Sequence, residues 1–143
     1  MLCAYARRKL FDKAIDDWTK AIELKPDFAE AYSNRGLVYG RKGFVNQAIA
    51  DCTKAIEIKP DDAVAYNDRA SVYHLVGQDA KRLVDADRAV ALAPKHANAI
   101  ETRAEIYEKL RQRKKAIADY RQALSLDPGM KSAHDGLKRI GAE

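Results

Sequence analysis

The chain has four prolines, Pro26, Pro60, Pro94 and Pro128, and each stands 34 residues after the one before it. Proline lacks the amide proton an α-helix needs and its ring collides with the preceding turn, so prolines at a fixed step end helices at a fixed step. The same step carries Tyr5 to Tyr39, Tyr73 and Tyr107, and Ala21 to Ala55, Ala89 and Ala123. Three residue types locked to one period describe a repeat array, which has no central core: each unit buries its apolar face on its neighbours.

Between prolines the apolar residues fall at helical spacing, as in Ala48, Ile49, Cys52, Ala55 and Ile56. Each unit holds two such stripes around a short break. The break is "YGRKGFV" in the second unit, where Gly40 and Gly43 can end a helix, and "HLVGQDA" in the third, where Gly77 serves. The pattern predicts helices at 2–8, 12–24, 28–41, 46–58, 62–75, 80–92, 96–109, 114–126 and 130–141. After Pro26, Asp27 is placed to cap the next helix and Glu30 to complete a capping box. Asp61 is placed to act alone one unit later; Lys95 and Gly129 at the corresponding later positions supply no such cap.

A 34-residue helix-turn-helix unit with these landmarks resembles the tetratricopeptide repeat. The second unit carries the pattern on Tyr32, Gly36, Tyr39, Ala48, Ala55 and Pro60, with Cys52 where a larger aromatic is usual. The third carries it on Tyr66, Ala70, Tyr73, Ala86, Ala89 and Pro94, and the fourth on Ile100, Ala104, Tyr107, Ala116, Tyr120, Ala123 and Pro128. The first supplies Tyr5, Ala14, Trp18, Ala21 and Pro26 but lacks most of its first helix. The resemblance implies an all-α, right-handed α-solenoid of helix-turn-helix repeats with a C-terminal capping helix. One array of residues 1–143 is expected: a truncated repeat at 1–28, repeats at 29–62, 63–96 and 97–128, and a cap at 129–143, where Ala133, Leu137 and Ile140 share one face. The uncovered first repeat implies a chain continuing upstream of Met1, the favoured arrangement, or a homodimer in which a second copy covers it.

One departure from the family is systematic. Arg35, Arg69 and Arg103 stand where leucine is usual, and the same period places Asp17, Asp51, Asp85 and Asp119 on the second helices. Each arginine is expected to lay its stem on the helix packing and pair its head with one of these aspartates.

Chemistry is sparse. His74, His96 and His134 have no partner ligand at i+3 or i+4, and Cys3 and Cys52 fit no metal or redox spacing, so two free thiols, no metal and no cofactor are expected. The neighbours Asp16 and Asp17 cannot face one site on a helix, and Asp61 with Asp62 reads as a solvated turn, so no catalytic pair is assigned. No apolar run approaches the roughly 18 residues of a membrane span, so a soluble chain is expected, in the cytoplasm or as an exported fragment.

By the resemblance, the first helices wall a concave groove that binds a peptide or helix of a protein partner. The expected groove residues are Arg7, Asn34, Leu37, Arg41, Asn67, Asp68, Ser71, His74, Glu101, Glu105 and Glu108, bordered by Glu30, Ser33, Val64, Asn98 and Thr102. Arg7, Asn34 and Arg41 make its early part neutral to basic and the three glutamates make its late part acidic, while Asn34 and Asn67 suit a peptide backbone. Family members that hold the C-terminal carboxylate of heat-shock chaperones use lysines, asparagines and an arginine on these helices. The matching positions here read Ser33, Leu37, Asp68, Asn98 and Thr102, so chaperone tails are not expected to bind tightly. Two other readings stand beside the groove. One is a nucleic-acid or anionic-surface site on the turn of Arg111, Arg113, Lys114 and Lys115, which lacks interleaved aromatics for stacking bases. The other is an architectural or dimerising segment of a longer protein.

Overall fold

The computed structural model describes residues 2–143, and every regular element among them is helical: α1 (Leu2–Leu24), α2 (Ala29–Lys42), α3 (Val45–Ile58), α4 (Ala63–Leu75), α5 (Asp79–Leu92), α6 (Ala97–Lys109), α7 (Arg113–Leu126) and α8 (Lys131–Arg139). This is the all-α, helix-turn-helix architecture expected from the period. No helix among the described residues is long and apolar enough to cross a membrane. The helices fall into two compact units, Met1–Gly77 and Gln78–Glu143.

The first unit corrects one expectation. In place of helices at 2–8 and 12–24, α1 runs unbroken for 23 residues. The segment "ARRKLFDKAIDD" contains no glycine, proline or asparagine to support a turn, and its Ala, Arg, Lys and Leu are strong helix formers. Where a turn does form, its residue is specific: Gly43 closes α2 in the left-handed region at φ 86°, and its amide donates to the Gly40 and Tyr39 carbonyls. Gly77 does the same work after α4 at φ 67°. Gly40 has another task, being buried where a Cβ would stand 3.3 Å from the Leu75 side chain.

The caps also shift. Phe28, not Asp27, precedes α2 and no side chain caps it, so the Asp27–Glu30 box does not form. In the next unit Asp62 rather than Asp61 accepts from the Val64 amide, at 3.0 Å. His96 caps α6 by accepting from the Ala99 amide at 3.2 Å. Each shift is one residue, set by where the chain leaves the proline turn.

The first unit packs through small residues. Ala31, Ala48, Cys52, Ala55 and Ala70 are fully covered, and Gly36 lies so close to α3 that a Cβ would come 2.9 Å from Cys52 Sγ. The second unit uses larger ones: Tyr120, Ile100 and Ile106 are fully buried beside Ala104, Ala116 and Ala123. Burying each such isoleucine contributes about 1.5–3 kcal/mol. The helix α8 covers α7, with Ala133, Gly136 and Leu137 buried and the Gly136 backbone against the Tyr120 ring.

Candidate functional site

Two arginines at the family's usual leucine position form the pairs anticipated for them, and they reach further. From α2, Arg35 grips Asp51 on α3 with two hydrogen bonds of 2.7 and 2.8 Å and donates backward to Thr19 on α1 at 3.0 Å. From α6, Arg103 makes the same fork on Asp119 of α7, at 2.7 and 2.9 Å, and reaches back to Asp87 of α5 at 3.2 Å. Each thus ties three helices, sixteen residues ahead and sixteen behind. Arg69 makes the backward bond to Thr53 at 3.1 Å. Tyrosines flank all three guanidiniums at 5.6 to 6.0 Å. The hydrogen-bonded aspartates raise the pKa of Arg35 and Arg103. These side chains are structural, and Asp17 stands apart, exposed on α1.

What the packing leaves over lies on the first-helix faces. In the first unit, Asn34, Leu37 and Arg41 share one stripe of α2 at i, i+3 and i+7. Arg41 meets Arg7 of α1 across a recess of about 210 Å³ that Ala4, Arg8, Phe11 and Lys42 complete. A larger recess, about 480 Å³, shares Arg7, Phe11 and Arg41. On α4, Ser71 donates to the Asn67 carbonyl at 3.0 Å, and Ser71 and His74 are exposed. The side-chain oxygen of Asn67 is buried with no hydrogen-bond partner. Burial, with Asp62 adding its charge, pushes the Asp68 carboxyl up to about 7.

In the second unit the three glutamates of α6 have separate fates. Glu108 accepts from Arg139 of α8 at 2.9 and 3.0 Å and from the Tyr120 hydroxyl at 2.6 Å. Those bonds, Arg139 first, hold its pKa below the usual carboxylate range against the opposing effect of burial. Glu105 accepts from Arg82 at 3.4 Å. Burial and then the Glu105 charge raise the Glu101 pKa, a Ser132 hydrogen bond partly opposing them. On this face Glu105 pairs with Arg82, Glu101 meets Ser132, and Glu108 holds the capping helix.

The basic turn is likewise partly committed. Arg113 donates to the Ile140 and Gly141 carbonyls at 3.0 and 3.1 Å, and Lys115 lies over the Tyr107 ring at 5.4 Å. Arg111 bends the chain there at φ 58°. Cys3 is exposed, Cys52 is buried, and both are free thiols. Among the described residues no group of three or more His, Cys, Asp or Glu could hold a metal ion.

Several residues of these faces escape the simple groove pattern although the period marks them. Arg8 and Lys42 are 34 residues apart, as Arg7 and Arg41 are, so one basic pair recurs on neighbouring helices. Arg82, only 5% exposed, occupies the position of the covered Ala48 and Ala116 in the flanking units.

Models of the tetratricopeptide repeat match residues 29–62, 52–83 and 97–130, and a further model of the repeat matches 4–43. No curated protein sequence matches the chain. Among solved structures, the first tetratricopeptide domain of Spaghetti (RPAP3), bound to the HSP90 peptide SRMEEVD, is 28% identical with a TM-score of 0.76, covering 79% of this chain and 90% of that one. The Arabidopsis OM64 domain is 28% identical with a TM-score of 0.73, covering 78% and 93%. MamA is 25% identical with a TM-score of 0.77, covering 92% and 80%. With its period, its helix pairs and these matches in agreement along most of its length, the chain belongs to the tetratricopeptide repeat family.

Proposed function

We propose that the chain is a noncatalytic protein-interaction module whose first-helix faces take an extended or helical segment of a partner protein. The stripe of Asn34, Leu37 and Arg41 on α2 carries this reading: an amide, an apolar and a cationic side chain stand at i, i+3 and i+7 on one face, and each keeps exposed surface. The Asn34 amide can both donate to and accept from an extended backbone. The related RPAP3 domain, which was solved with a peptide, supports the same reading.

Side-chain choice follows from charge: acidic or polar partner residues near Arg7 and Arg41, basic ones near Glu101 and Glu105. Affinity capture with the native chain beside an E101K/E105K variant tests it. Partners held by the first and lost by the second, with helical circular dichroism unchanged, support the reading; the same partners from both would sink it. Glu108 is left out of that variant because it anchors α8.

The terminal carboxylate of a chaperone tail is not part of the proposed ligand, since Ser33, Leu37, Asp68, Asn98 and Thr102 offer it no cation. In isothermal titration, a tail peptide and its C-terminal amide should therefore bind alike. The nucleic-acid reading of the 111–115 turn is disfavoured because Arg113 is bound to the end of the chain.

A further inference from the structure

We propose that the recess between α1 and α2 is a subsite for an internal acidic-aromatic motif, an apolar side chain flanked by carboxylates. The inference rests on reading the first-helix faces as a ligand surface, and it adds a ligand chemistry and three residues, Arg8, Phe11 and Lys42.

Two features of the recess point to an anion. The first is uncompensated charge. Four cationic side chains converge on about 210 Å³, and Lys42 is the one paired, with Asp12. Arg7, Arg8 and Arg41 have no hydrogen-bond or ion-pair partner among the described residues, in contrast to Arg35 and Arg103, which are forked onto Asp51 and Asp119 of the next helix. Like charges held together on two rigid helices repel, and a carboxylate between them turns that repulsion into attraction. Guanidinium forks also match carboxylate geometry better than an ammonium does.

The second feature is the apolar wall. Phe11 is half-buried and, with Ala4, lines the side of the recess opposite α2. One aromatic wall suits a single apolar side chain. A run of stacked bases would need several aromatic platforms, so a peptide is favoured over single-stranded nucleic acid. Continuity agrees: Arg41 ends the α2 stripe that begins with Asn34 and Leu37, so a segment following that stripe delivers its side chains to the recess.

A fluorescent peptide of sequence Glu-Glu-Phe-Glu-Glu, acetylated and amidated so that it has no terminal charge, tests this by anisotropy with the full chain at low and physiological salt. Saturable binding is expected, weakened about tenfold in R7A/R41A and several-fold at the higher salt. F11A, or a peptide with serine for phenylalanine, should lose about fivefold. Arg7 and Arg41 are exposed, so circular dichroism should be unchanged; R7K/R41K should recover only part of the affinity. E101K/E105K should bind this peptide like the native chain, so that a failed recess and a failed acidic face are told apart. No saturable binding, or equal binding by R7A/R41A, overturns the subsite. Tighter, arginine-dependent retention of an oligouridylate overturns the choice of a peptide.

Discussion

The two units solve one packing problem with different materials. In the first, the helices close on small residues: Gly36 lies against Cys52 and Ala48, and the largest covered side chains are Val72 and Cys52. In the second, Ile100, Ile106 and Tyr120 fill the same kind of space, and α8 is tied down by Glu108, Arg139 and Arg113. The arginine fork is the shared part, repeated at Arg35 and Arg103 with nearly equal distances. Repeats thus keep the joint and vary the filling, and the first-helix faces vary most: guanidiniums without partners, at Arg7 and Arg41, in one unit and the carboxylates of Glu101, Glu105 and Glu108 in the other.

The largest expected effect lies in the second unit. A Cβ on Gly136 would stand 2.4 Å from the Tyr120 ring, which is fully buried and has no room to retreat. Gly136→Ala should cost about 3 kcal/mol and strip hydrogen-exchange protection from α8. Gly36→Ala, whose Cβ meets Cys52 Sγ at 2.9 Å, should cost about 1 kcal/mol after the gain in helix propensity. If urea unfolding ranked the two the other way, the contrast in packing would be broken.

Next come the forks. Asp51→Ala leaves Arg35 with only the Thr19 hydroxyl and should cost about 2 kcal/mol. Asp119→Ala leaves Arg103 a second carboxylate, Asp87, and should cost about 1 kcal/mol. Equal losses would mean that the backward bonds contribute nothing.

The smallest effect is a pH contrast of opposite sign. The Asp68 carboxyl is pushed up to about 7, above its unfolded value, so the stability it contributes is present at acid pH and is lost as pH rises toward 7. Asp68→Asn should raise the Tm by about 3 °C at pH 8 and by almost nothing at pH 4. Glu108 is held low, so its contribution is present above the ordinary carboxylate range and fades as pH falls through its depressed value. Glu108→Gln should therefore flatten the acid limb of the melting profile and lower the Tm near neutrality. The same sign in both variants would remove the contrast.

The period makes the helices and the close-approach positions legible, because proline, glycine and alanine act locally and at fixed sites. The fork was legible too, since arginine and aspartate recur in step. The reach of long side chains was not: only folded geometry tells that Glu108 turns to Arg139 and that Arg113 meets the Ile140 and Gly141 carbonyls, both contacts lying 27 or more residues away in sequence. The unbroken α1 lies between these cases. Its lack of glycine, proline or asparagine between Ala6 and Asp17 is visible in the sequence, but the pull of the repeat pattern argues for a break there.

That continuity makes α1 a lever. A helix of 23 residues is about 35 Å of stiff rod. Arg7 and Trp18 lie eleven residues apart on it, about three turns, and so nearly on the same side. In the other helix pairs a turn separates the two strokes and can absorb a tilt; here no joint intervenes. A load placed on Arg7 is carried along a single shaft to the bearing at Trp18 and Thr19, where Arg35 holds it.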